Sequence, residues 1–115
     1  MINFTNISDK AYTHCRDIKD RPSVRKYITH SYHAYSYCLD IKDRPEVRKH
    51  ITDSYYAFFY CRNIKDRLSM RKLITDSNDA YSYCRYVKDR PSVRKFITEE
   101  KYLKWYQDYR DWKKK

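Results

Sequence analysis

HSYHAYSYCLDIKDRPEVRKHIT, residues 30–52, decides the architecture of this chain. Ala34, Tyr37, Cys38 and Ile41 stand at i, i+3, i+4 and i+7, one apolar stripe of a 3.6-residue helix. Ser31, preceded by His30, offers a capping group at its start. A second, shorter helix of about nine residues follows, with Asp43 as N-cap and Pro45 in the first turn. Glu46 completes a capping box, and Val47, His50 and Ile51 supply the inward stripe. So short a helix cannot stand alone in water and must pack on its neighbours. The segment therefore predicts a helical hairpin.

The hairpin recurs. Cys15, Cys38, Cys61 and Cys84 are each 23 residues apart, and cutting at that period gives units 7–29, 30–52, 53–75 and 76–98. Ser8, Ser31, Ser54 and Ser77 fall in one column as candidate caps. The only four alanines, Ala11, Ala34, Ala57 and Ala80, fall in another, where small side chains let helices approach closely. Units that contact only their neighbours build a solenoid whose ends need atypical caps. The expectation is a single all-α repeat domain over 1–115, a right-handed α-solenoid of four 23-residue hairpins with a C-terminal cap helix over 99–115. That helix is expected to start near Thr98 and to carry Tyr102, Trp105, Tyr109 and Trp112 as one apolar stripe, ending in lysines that suit the helix dipole. Residues 1–6, too short for a full helix, are expected to lie over the first unit.

Composition narrows the function. The 115 residues include no glycine, 26 Lys and Arg against 15 Asp and Glu (formal charge +11), and 17% aromatic residues. Phosphate-cradling loops, dinucleotide-binding turns and the nucleophile elbow of hydrolases all need glycine, so those classes are excluded. The 41% hydrophobic content argues for a packed core despite the charge. Neither a membrane span nor a signal peptide is read, and the expected location is the cytoplasm, that of the host if the protein is viral. The Tyr-, Lys-, Ile- and Asn-rich usage is that of an AT-rich genome, such as a phage or large virus.

The KDRPEVRKHI stretch of 42–51 resembles the Asp-x-x-x-Val-Arg signature of HEAT repeats. The whole unit is similar to the short helical repeats of giant viruses, phages and protists. The resemblance spans 7–98 and implies an α-solenoid, without carrying over an activity.

Cysteine chemistry is not expected. Stacked helices hold their axes about 8–10 Å apart, beyond the reach of a disulfide between columns. No CxxC clip exists for zinc, and each thiol lies in the inward stripe as a small hydrophobe. His14 precedes Cys15, but adjacent helical residues diverge by about 100°. It shares a column with Tyr37, Tyr60 and Tyr83 and is expected to pack in the core. His30, His33 and His50 read as surface or partly buried residues. No catalytic constellation, metal site or cofactor is expected, and the chain is read as a non-enzyme.

Two sets of side chains carry the functional expectations. Positions opposite the Ala/Cys stripe differ between units and include Tyr32, Leu39, Tyr55, Phe59 and Arg62. Large apolar groups beside arginine on an outer face predict a protein interface, as in an adaptor or inhibitor acting on a host protein. The alternative is nucleic-acid binding through stacked basic columns: Arg21, Arg44, Arg67 and Arg90, with the pairs Arg25-Lys26, Arg48-Lys49, Arg71-Lys72 and Arg94-Lys95. Lys19, Lys42, Lys65 and Lys88 form a further column. Against it, Asp20, Asp43, Asp66 and Asp89 recur beside these cations and could staple unit to unit. Tyr12, Tyr35, Phe58 and Tyr81 read as packing between units. A third reading is self-assembly, with a homo-oligomer formed through the aromatic C-terminal helix.

Overall fold

A computed structural model describes residues 4–115, with side-chain surroundings from Ile7 onward. The chain is all-helical among the described residues, with elements α1 (Phe4–Asp17), α2 (Pro22–Arg25), α3 (Ser31–Asp40), α4 (Pro45–Arg48), α5 (Ser54–Asn63), α6 (Leu68–Arg71), α7 (Ser77–Tyr86), α8 (Pro91–Arg94) and α9 (Glu100–Lys113). It divides into two compact units, 1–56 and 57–115. In the first, α1 packs on α2 and α3, and α3 on α4; in the second, α7 packs on α8 and α9. No helix among the described residues is long and apolar enough to cross a membrane.

The chain turns without glycine by a repeated device. The carbonyl of Tyr37 accepts two backbone N–H groups, from Ile41 (2.9 Å) and Lys42 (3.2 Å), and His14, Tyr60 and Tyr83 end their helices in the same way. The added fifth-residue bond closes each helix with no left-handed residue, and none occurs among the described residues. An extended arginine follows each time, at 21, 44, 67 and 90, as the backbone ahead of a proline demands in three of the four. Proline then occupies the first turn of α2, α4 and α8, where its missing N–H costs nothing.

The second helices are shorter than expected. Each has four residues and then tightens into i→i+3 bonds, as in Tyr27 N–H to Val24 and Ile28 N–H to Arg25, both 3.0 Å. Asp43 is not the N-cap of α4. Arg44 holds that position, and the Asp43 carboxylate is drawn instead to Arg48 Nε at 2.9 Å. Glu46 forms no capping box and lies 3.6 Å from Arg25.

The serine column also works differently. His30 caps α3 through its ring nitrogen, and Asp76 caps α7 through its carboxylate. The buried hydroxyl of Ser8 accepts from the backbone N–H groups of Thr29 and His30, both 3.2 Å, and Ser77 accepts from Thr98 and Glu99, both 3.1 Å. These serines tie down the linker at the end of their own 23-residue unit, satisfying donors that precede the next helix.

The Ala, Tyr and Cys columns make the core: Ala34, Ala57, Ala80, Tyr37, Tyr60 and Tyr83 are completely buried, and all four cysteines are buried. Tyr12, Phe58 and Tyr81 are buried and Tyr35 half-buried. Helix α9 departs from expectation. Glu99 is its N-cap rather than Thr98, and Tyr106 is its one buried residue, while Trp105 and Trp112 are exposed. The reason is register: Tyr106 lies 23 residues beyond Tyr83, so the cap helix continues the tyrosine column. Phe4, Thr5 and Asn6 belong to α1 rather than to a separate arm; the expectation for 1–3 lies outside the described residues.

Candidate functional site

Apart from Arg21, the arginines of both predicted basic columns are engaged. In the first unit, Asp20 accepts from Arg25 Nε (3.0 Å) and the Tyr37 hydroxyl (2.7 Å), and it pairs with Arg44 at 3.4 Å. Arg44 Nε also donates to the Tyr37 oxygen at 2.9 Å. In the second unit, Asp66 accepts from Arg71 (3.2 Å), Tyr83 (2.8 Å) and Arg90 (3.2 Å), and Arg90 Nε donates to Tyr83 at 2.8 Å. Each aspartate thus binds an arginine five residues on, a tyrosine seventeen on and an arginine twenty-four on. Asp89 repeats the pattern with Arg94 Nε at 3.0 Å and the Tyr106 hydroxyl at 2.8 Å. Arg67 Nε donates to Tyr60 at 2.6 Å, and Arg48 to Asp43.

Electrostatics follow the geometry. Burial by itself would raise the Asp20 and Asp66 carboxyls, but their tyrosine and arginine hydrogen bonds, with the guanidinium charges, outweigh it and hold both below 3.8. Burial and the carboxylate push the Tyr37 hydroxyl up to about 12. These arginines are connectors first.

The lysines differ. Lys19, Lys42, Lys65, Lys88, Lys26, Lys49, Lys72 and Lys95 are all exposed, as is Arg21. Lys26 and Lys95 lie 5.2 and 5.1 Å from the rings of Tyr27 and Phe96.

Four of the five predicted protein-interface residues are exposed. Tyr32 (48%), Leu39 (45%) and Tyr55 (52%) belong to the first unit, where Tyr32 and Tyr55 both meet the Tyr56 ring edge-on, with centroids 5.5 and 5.0 Å away. In the second unit Arg62 is exposed, its guanidinium 4.9 Å from the Tyr86 ring. Phe59 is only half-buried, with its ring 5.1 Å from Phe58.

The cysteines are free and buried, and burial pushes the Cys38 and Cys61 thiols up to about 12 and Cys84 to about 11, far from the thiolate a nucleophile needs. His14 is half-buried, and its Nε2 is the one buried side-chain polar atom without a partner among the described residues. His33 is buried, with Nδ1 3.0 Å from Ser8 Oγ and Nε2 3.7 Å from Asp9. Although the residue types suggest a triad, Ser8 is fully buried and already accepts two backbone N–H groups, so its proton serves His33. No group of three or more His, Cys, Asp or Glu among the described residues could hold a metal ion.

The aromatic C-terminal helix, read from the sequence as a contact between copies, helps to form a groove. Between α7 and α9 runs an open groove of about 710 Å³ containing both tryptophans of the chain, Trp105 and Trp112. Extending the 23-residue register beyond Thr98 would have found it: with Tyr106 inward, Trp105 and Tyr109 fall in the outward columns of Ser82 and Tyr86. Comparison of the chain with protein-family models, curated proteins and solved structures finds no match.

Proposed function

We propose that the chain is a non-enzymatic α-solenoid of four helical hairpins and a cap helix that binds a protein partner through the outer face of its longer helices. The observation that carries this reading is the separation of faces. Ala34, Tyr37 and Cys38 of α3 are buried, while Tyr32 and Leu39 on the same helix are about half exposed. Exposed tyrosine, leucine and arginine at positions that differ from unit to unit have the composition of interface anchors. The aspartate links that reach seventeen and twenty-four residues ahead support a stack of hairpins, because they join the first 23-residue repeat to the second and the third to the fourth. An adaptor or inhibitor acting in a host cytoplasm is the role such a module fits.

Affinity purification with Tyr55→Ser/Phe59→Ser against the parent, with and without nuclease, tests the proposal. The expected result is partner capture that survives nuclease and is lost in the double variant, whose melting curve keeps its cooperative transition. Unchanged capture removes this face. Capture abolished by nuclease transfers the function to nucleic acid, the reading that the exposed lysine columns favour.

A further inference from the structure

The groove between α7 and α9 differs in chemistry from the tyrosine cluster of the first unit. Its walls combine Tyr81, Arg85, Tyr86, Trp105, Tyr109 and Trp112. Trp112 is 70% exposed, and Tyr86 and Trp105 are about half exposed, an arrangement that leaves large apolar area in water. Cations surround it. Arg85 donates to the Tyr81 hydroxyl at 2.8 Å, which places its guanidinium 5.2 Å from the Tyr86 ring and 5.6 Å from Tyr109. Arg62 approaches Tyr86, Lys101 lies 5.1 Å from Trp105, and Lys113 lies 5.6 Å from Tyr109. Residues 57–115 hold 16 Lys and Arg against 8 Asp and Glu, so most of the +11 belongs to this half of the sequence.

We propose that this groove binds an acidic peptide segment of another protein, its apolar side chains seated between the tryptophans and its carboxylates on Arg62, Arg85, Lys101 and Lys113. The proposal deepens the protein-binding reading and rests on it. Three observations select the occupant. The lining is built of Trp, Tyr and Arg, the residue types that dominate binding hot spots. A second copy would bring the same excess of positive charge to the same place and be repelled. The cations around the aromatic walls, Arg62, Arg85, Lys101 and Lys113, outnumber Asp108, the one carboxylate of the lining, so the charge of the groove suits an acidic occupant. The ten residues of α7 span about 15 Å, the length of about ten residues of a helical peptide.

The two tryptophans are the built-in probe, since the chain has no others. The full chain is titrated with a blocked peptide of about twelve residues, leucine at i, i+3, i+4 and i+7 and glutamate elsewhere, while Trp emission is followed. The same peptide with lysine for glutamate and an oligothymidylate of similar length serve as comparisons. The expected result is a saturable change with the acidic peptide, Kd in the range of about 1–100 µM, with the lysine peptide at least about tenfold weaker. Arg85→Glu and, separately, Trp112→Ala should weaken acidic-peptide binding about tenfold or more; Trp112→Ala should do so with unchanged melting because its side chain is largely exposed, whereas Arg85→Glu also gives up the bond to Tyr81. No saturable change, equal binding of both peptides, or tighter binding of the oligothymidylate overturns the proposal. Partner capture that persists through Tyr55 and Phe59 while the peptide fails overturns the groove alone. Peptide binding without any partner capture supports the groove and removes the other face.

Discussion

Arg44 and Lys42 stand two residues apart in one linker, carry the same charge and recur at the same period, yet they have opposite fates. The guanidinium is bound to Asp20 and to the hydroxyl of Tyr37, while the ammonium lies in water. The same division holds in the second unit for Arg90 and Lys88. A planar fork can serve a carboxylate and a phenol together, which a compact ammonium on a flexible stem does less well. The net charge is therefore two populations, one holding helices in register and one available to solvent. Each can be disturbed without the other.

The strongest disturbance is Asp66→Ala. It takes the carboxylate from Arg71, Arg90 and the Tyr83 hydroxyl, and because Arg90 keeps its bond to Tyr83 and the site is partly exposed, the expected cost is about 1–3 kcal/mol. Chemical denaturation followed by circular dichroism should show the loss directly. Lys88→Ala, from the adjoining linker, should change stability by no more than about 0.5 kcal/mol. Equal effects from the two substitutions would erase the distinction between the populations.

How much of this division was legible beforehand varies with how local its cause is. The alternation of Ala34, Tyr37, Cys38 and Ile41 declared a helix and its buried face, because helical periodicity depends only on neighbours in sequence. The aspartate column suggested staples, but which cations it would claim depended on a tyrosine seventeen residues away. Serine at the start of a helix looks like a cap; that Ser8 and Ser77 instead serve linkers more than twenty residues on is a tertiary fact. The second helices stop short at their C-terminal ends, where the chain tightens into i→i+3 bonds, and in α4 the Asp43 carboxylate pairs with Arg48 rather than capping the first turn. In α9 a stripe of four aromatics outvoted the register on paper. The fold followed the register, burying Tyr106 over Asp89 and leaving both tryptophans outside.

Acid separates the populations a second way. Asp20 and Asp66 titrate below their usual 3.8 in the folded chain, so between the folded value and 3.8 the unfolded chain binds more protons. Their stabilisation is complete above 3.8 and is lost as pH falls through the folded values. Two histidines add an earlier step. Burial lowers His33, with the His30 charge acting the same way against Asp9, and burial with Lys49 lowers His50. Stability from these neutral rings is complete above 6.5 and declines as pH drops below it. Denaturant midpoints should therefore fall in two stages on acidification. The Asp66→Ala variant should keep the upper stage and show a smaller lower one. A variant whose lower stage matches the parent would detach Asp66 from the acid response.

The smallest effect on stability, and the one most informative about the exposed population, belongs to Lys42→Gln/Lys65→Gln/Lys88→Gln. These side chains are exposed, so unfolding free energy should move by no more than about 0.5 kcal/mol per site, and relief of self-repulsion could make the change favourable. Their consequence lies in binding. If the column meets a phosphate backbone, each lysine removed takes about 0.7 from the slope of log affinity against log salt for single-stranded DNA. The peptide groove predicts otherwise: none of the three lines it, so acidic-peptide affinity should be unchanged while weak, salt-sensitive DNA binding declines. An unaltered salt slope would leave the lysine column with no phosphate to meet. Its charge would then serve only to keep the chain apart from its own copies, through the same repulsion that excludes a second copy from the groove.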